Sequence, residues 1–349
     1  MKRRISIIIL SVVASLLCFV GPRPGSAQEP YYKGKQIRII VGLSTGGGYD
    51  RAARMLARTI GKYIPGNPDV VVQNMPGASS VTASNYVWGV AKPDGLTLLA
   101  PHNNVYLSQL SGQKEVQFDL AKFQWIGSLE NDDMMLFART DAPYKSISDI
   151  IKAKEQPKCG STGVGSSDYV MSKVLEDTIG AKVTHVTGYP GSSEIAIAVE
   201  RGEVSCMGLT IATYFGREPF LTWYKSKYVR FLAQSGRKRD SRLADAPTVY
   251  ELMDEYKTPA TKRRVAEAML QGGEWARSLM APPATPADRV SILRAAHEQA
   301  SKDAELIAEA KKLRIEITHL RGDHLQSVAQ QVMTQPPEVV EQIKKLFVQ

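Results

Sequence analysis

Apolar positions along the chain follow two periods in turn. Ile37, Ile39, Ile40 and Val41 form a β-branched run of the kind found in strands covered on both faces. Gly46, Gly47 and Gly48 follow, and then Ala53, Leu56, Ala57 and Ile60 recur at helical spacing. This predicts a strand, a glycine-rich turn and a helix, with Asp50 as the short acceptor at the helix start. The rhythm repeats. Val70 to Gln73 predicts a strand and Asn74 to Ser80 a loop of turn residues. Val81 to Ala91 predicts a helix, and Leu96 to Ala100 a strand ending in Pro101-His102-Asn103-Asn104. Trp125 to Leu129 and Met134 to Ala138 predict two strands leaving this unit.

The same alternation restarts at Lys158-Cys159-Gly160-Ser161. A loop from Thr162 to Asp168 leads to a helix with Met171, Val174, Leu175 and Thr178 on one face. Val183 to Val186, Glu203 to Leu209 and Val229 to Gln234 predict strands, and Ser193 to Arg201 a helix closed by Gly202. Beyond Pro247 the pattern is helical: Val290, Leu293 and Ala296, then Leu306 and Ala310, then Val340 and Ile343, mark packing stripes. Two α/β units result, each with a mostly parallel sheet flanked by helices. Their glycine- and serine-rich loops fall at the carboxyl ends of strands, where open sheets bind ligands. Two such edges facing each other make a cleft.

The glycine turn leaves N–H groups at the positive end of a helix dipole, a place for a carboxylate or phosphate. A tight turn without a ligand is the plainer alternative. A dinucleotide fingerprint from Gly46 needs glycine where Arg51 stands, and no Walker Gly-Lys-Ser/Thr is present.

Length and charge add to this picture. The 349 residues suffice for two domains. Residues 1–27 read as a cleavable export signal: Lys2, Arg3 and Arg4, an apolar stretch from Ile5 to Val20, then Gly25-Ser26-Ala27. Cys18 invites a lipoprotein reading, but Ser15-Leu16-Leu17 lacks the small residues that go with one. The formal charge of +9 falls to +5 once Lys2, Arg3, Arg4 and Arg23 leave with the signal. The clusters Arg237-Lys238-Arg239 and Lys262-Arg263-Arg264 carry no interleaved aromatics, which argues against nucleic acid. Cys159 and Cys206 survive export, each in a predicted strand. They are either a disulfide or two buried thiols.

The succession Gly46-Gly47-Gly48-Tyr49-Asp50, Gln73-Asn74-Met75-Pro76-Gly77-Ala78 and Pro93-Asp94-Gly95 resembles the Bug-type substrate-binding proteins of tripartite tricarboxylate transporters. Gly160-Ser161-Thr162-Gly163-Val164-Gly165-Ser166, Gly188-Tyr189-Pro190-Gly191 and Arg201-Gly202-Glu203-Val204 extend the likeness over nearly all of the mature chain. The resemblance implies a two-lobed periplasmic binding protein, type II-like, acting as a monomer without cofactor or metal. It would pass a small carboxylate to the permease subunits. First-lobe residues 28–130, second-lobe residues 131–232 and a return to the first lobe over 233–349 follow, with crossings near Ile126–Ala138 and Val229–Gln234. The implied ligand residues are Ser44, Thr45, Gly47, Ala78 and Ser79 on one side. Gly165, Ser166, Ser167, Tyr189, Pro190 and Gly191 face them. His102 and Asn103, at the end of a first-lobe strand, join them as hydrogen-bonding groups. Two departures leave the ligand unnamed. Leu43-Ser44-Thr45 replaces the family's prolines, and Asp168 stands where histidine is common. Asp168 either caps the following helix or meets a cationic ligand group.

Loops rich in neutral donors and poor in titratable groups favour a receptor over an enzyme. No nucleophile elbow is expected, and His319, Asp323 and His324 read as surface residues rather than metal ligands. A sensor presenting the same receptor to a membrane kinase is the remaining class.

Overall fold

Ile37, Ile39, Ile40 and Val41 are all buried, as an unbroken apolar run requires, and they lie in β1 (Gln36–Val41). The computed structural model describes residues 29–130 and 132–347; the expected signal, with Cys18, lies outside them. From β1 the chain runs through α1 (Gly48–Ile60), β2 (Asp69–Asn74), α2 (Val81–Gly89), β3 (Thr97–Ala100), α3 (Val105–Leu110) and β4 (Gln124–Glu130). It continues through β5 (Met134–Arg139), α4 (Ile147–Lys152), β6 (Lys158–Gly160), α5 (Ser167–Ile179), β7 (Thr184–Val186) and α6 (Ser192–Glu200). Next come β8 (Cys206–Thr210), α7 (Ile211–Gly216), α8 (Phe220–Ser226), β9 (Val229–Gln234), α9 (Val249–Glu255) and α10 (Ala260–Leu270). The last elements are β10 (Ala276–Ala281), α11 (Ala287–Ser301), α12 (Ala304–Leu313), β11 (Leu320–Arg321), α13 (Gly322–Met333) and α14 (Pro337–Phe347).

The strands make two sheets, ordered β11-β4-β10-β3-β1-β2 and β7-β6-β8-β5-β9. The two-lobed α/β architecture is therefore as expected, but the sheets are mixed rather than mostly parallel. β1 pairs in parallel with β2 and β3, and β6 with β7 and β8. β10 lies antiparallel between β3 and β4, and β5 antiparallel between β8 and β9. These two are the strands by which the chain enters each sheet.

The return to the first sheet comes later than expected. Helices α9 and α10 pack on α5, beside the second sheet, and only β10 rejoins the first. The segment 235–270, read in sequence as first-lobe, thus lies against the second lobe. One apolar core runs from the inner face of the first sheet (Ile40, Leu99, Trp125) through Met269 to Tyr169 and Val174 of α5. Two smaller cores cover the outer faces, one under α1, α11 and α12, the other under α6 and α8. Among the described residues, no helix is long and apolar enough to cross a membrane.

Candidate functional site

Ser80 ties the three first-sheet loops together. Its Oγ donates to the Gly42 carbonyl at 3.2 Å and accepts the His102 N–H at 2.8 Å. A Cβ on Gly42 would collide with it, so the approach requires glycine there. Ser80 also ends a rare turn. Ala78, Ser79 and Ser80 have φ of 44°, 49° and 81°, left-handed angles that L residues adopt only at a cost. Successive left-handed residues aim backbone N–H groups at one side, and strain of this kind gathers at binding sites.

Asp50 does not cap α1. The N-cap is Gly47, without a side-chain bond, and Asp50 sits in the first turn. It accepts the Gly46 N–H at 2.8 Å, with further bonds from Arg54 Nε and Asn74 Nδ2, both at 2.9 Å. Burial alone would raise its pKa. The bonds from Arg54, Gly46 and Asn74 outweigh burial and hold the carboxyl below its ordinary range. Asp168 repeats the device on α5. It accepts the Thr162 N–H at 3.0 Å and the Tyr169 N–H at 3.2 Å, folding its own loop back. Here burial wins and pushes the carboxyl up to about 7. Asp168 is therefore not the N-cap of α5, which is Ser166; it ties its own loop to the first turn and also lines the recess between the lobes.

Three helices therefore begin at the cleft with no side chain capping them: α1 after Gly47, α5 after Ser166 and α6 after Gly191. The first two come from opposite lobes. A recess of about 50 Å³ lies where they converge, lined by Ser44, Gly47, His102, Ser167, Gly191 and Thr213 among others. An outer chamber of about 840 Å³ shares Leu43 and Thr162 with the recess and is walled by Ala78, Ser79, Gly163, Tyr189 and Pro190. The lobes touch across it. Ser79 Oγ lies 3.4 Å from Thr162 Oγ1, and Ser44 Oγ presses on Gly191.

His102 Nε2 lies 3.1 Å from Ser167 Oγ, a serine–histidine pair inside the cleft. The Asn104 N–H donates to His102 Nδ1 at 3.1 Å. An accepting Nδ1 carries no proton, so Nε2 is the protonated nitrogen and donates to the serine. Burial, then the Arg277 charge, lowers the His102 pKa to about 3, so the ring is neutral.

The expected residues thus fall into two groups. Ser44, Gly47, His102, Ser167 and Gly191 meet at the recess, and Ala78, Ser79, Tyr189 and Pro190 at the chamber. Thr45 instead donates to Asn74 on the exposed side of its loop. Asn103 turns into the core, where Tyr49 OH and the Gly272 carbonyl occupy its amide. Ser166 Oγ donates to the Gly163 carbonyl, and Gly165 packs on Ser108. Cys159 and Cys206 are bridged, directly opposite each other on β6 and β8. Among the described residues no three metal-ligating side chains cluster; Asp323 pairs with Arg321 at 2.8 Å and His319 packs on His297.

The model of the tripartite tricarboxylate transporter family receptor matches residues 52–344. The chain belongs to that receptor family. A protein of the gbd 5′ region of Cupriavidus necator is 30% identical over 234 residues, covering 66% of this receptor and 68% of the relative. Among solved structures, the periplasmic binding protein BugD has a TM-score of 0.71 at 22% identity, covering 90% of this receptor and 98% of BugD. MatC from Rhodopseudomonas palustris with bound malate has a TM-score of 0.68 at 20% identity, over 90% and 99% of the two chains.

Sequence reasoning missed several residues that the receptor brings to its cleft. Thr210 and Thr213 line the recess because β8 lies mid-sheet and ends there. The rule that ligands meet the carboxyl ends of strands was enough to flag them. Contrary to the expectation of no nucleophile elbow, Gly42-Leu43-Ser44-Thr45-Gly46 does carry Gly-x-Ser-x-Gly spacing between a strand and a helix. Such an elbow holds its serine in a strained backbone, and Ser44 has no positive φ.

Proposed function

We propose that this receptor is periplasmic and captures a small organic carboxylate between its lobes, delivering it unchanged to a membrane permease. The observation that carries this reading is the convergence of three uncapped helix N-termini on one recess. None has a bond from its N-cap side chain, and each turns the positive end of its dipole to the recess, an attraction worth most where water is excluded. The left-handed turn at Ala78–Ser80 adds main-chain donors at the mouth. Its relative MatC, with malate bound, supports a carboxylate as the ligand class. Ser44, Gly47, Ser79, Ser167 and Gly191 are the residues we assign to the ligand.

The serine–histidine pair argues against turnover. A general base for Ser167 must accept its proton at Nε2, and in His102 that nitrogen is already protonated.

A thermal-shift screen tests the reading with dicarboxylates from four to eight carbons, citrate, acidic amino acids and aromatic acids. Ligand at a hundred times its Kd adds about 2.7 kcal/mol, which raises Tm by several degrees for a protein of this size. A flat response across all four chemistries sinks the carboxylate assignment. Product appearing with any hit would move the protein to the enzyme class.

A further inference from the structure

We propose that Arg277 is the positioning residue that registers the two lobes at the binding recess. The chain passes from the first sheet to the second between Glu130 and Met134 and returns just before Ala276. The two crossings touch: Asp132 N–H donates to the Gly273 carbonyl at 3.0 Å. Arg277, the second residue of β10, sits at that junction with φ of 57° and is buried.

Its guanidinium joins four pieces of the molecule. Nη2 lies 3.4 Å from Glu130 Oε2, at the end of β4, and 3.4 Å from Asp132 Oδ2, in the outgoing crossing. The guanidinium carbon stands 4.3 Å from the ring centre of Tyr49, in the first turn of α1. Nη2 also donates to Thr213 Oγ1 of the second lobe at 2.9 Å. Asp132 supplies a parallel link, accepting the Ala212 N–H at 3.0 Å. Tyr49 and Thr213 both line the recess. One cation thus holds the recess wall of the first lobe, the recess wall of the second and the hinge between them.

Opening the cleft pulls Thr213 away from Nη2 and admits water to a cluster of one cation and two carboxylates. Closing it restores the bond and dries the cluster. The closed spacing is therefore set by Arg277, and the donors of both lobes come into register only when it is made. This role deepens the receptor reading, but its test needs no ligand. Failure of every carboxylate to bind would leave it standing.

The experiment measures the distance between spin labels at Lys114→Cys and Thr187→Cys, both exposed and on the chamber walls of opposite lobes, in the mature protein with its disulfide intact. The parent should give a short interlobe distance. Arg277→Gln and Thr213→Val should each shift the distribution to longer values, while Arg277→Lys should retain part of the short peak. Should Arg277→Gln not fold, Thr213→Val, which leaves the ion cluster whole, decides alone. A Thr213→Val distribution that matches the parent overturns the role, whatever its melting temperature.

Discussion

Asp50 and Asp168 both sit in the first turn of a cleft helix, at its third and second residue respectively, yet their carboxyls shift in opposite directions. Arg54 and Asn74 stand beside Asp50; Asp168 has only neutral donors. For Asp168 the sign is fixed by burial, which pushes its folded pKa to about 7 against an unfolded value of about 4. Between those values the folded state binds more protons than the unfolded state, so Asp168 makes stability fall as pH rises from about 4 to about 7. Asp168→Asn keeps an oxygen for the Thr162 N–H and removes the titration. Thermal melts of the variant should show a flatter pH dependence across that window than the parent. An unchanged slope would mean the carboxyl titrates elsewhere. Side-chain chemistry of this kind was half legible. The two aspartates announce themselves after glycine and serine loops, but which N–H each accepts depends on the loop path, which spacing does not encode. Asn103 misled for the same reason: a polar residue ending a strand can face solvent or turn inward, and Tyr49 draws it in.

Elements were more legible than their directions. β1, α1, α5 and α6 follow from apolar period alone. β5 is as apolar as its neighbours because both faces of its sheet are covered, so nothing in its residues marks it as reversed. β10, in a stretch read as helical, was missed as a strand because Arg277 and Ser278 break its apolar run. The disulfide belongs to this scale, since it staples β6 to β8. It spans 47 residues, and cross-linking a loop of that length lowers the entropy of the unfolded chain by about 4 kcal/mol at room temperature. Reduction should therefore lower unfolding free energy by about 2–4 kcal/mol in urea titrations. The same loss should appear in a Cys159→Ala, Cys206→Ala double variant. Equal midpoints before and after reduction would show that the second sheet needs no staple.

At the scale of the whole molecule, two crossings and one shared core make hinge bending the available motion. The lobes meet closely at Gly48. A Cβ there would collide with the Thr213 hydroxyl and stand 3.1 Å from Arg277 Nη2. Gly48 is the first residue of α1, where alanine suits a helix well. Gly48→Ala should fold normally and yet hold the lobes apart. Small-angle scattering should give a larger radius of gyration than the parent, at unchanged secondary structure by circular dichroism. A parent-like radius would show that the Thr213 side chain can swing clear. The wedge point was not legible, because it depends on how two lobes dock rather than on either alone. The uncapped helix starts have a wider consequence. On the proposed reading the grip is made of main-chain amides, which cannot be deleted by swapping side chains, so any descendant that keeps the fold keeps the anchor. Taste for one metabolite over another is then free to drift through residues such as Tyr189 and Ser79, without the anchor having to be invented again.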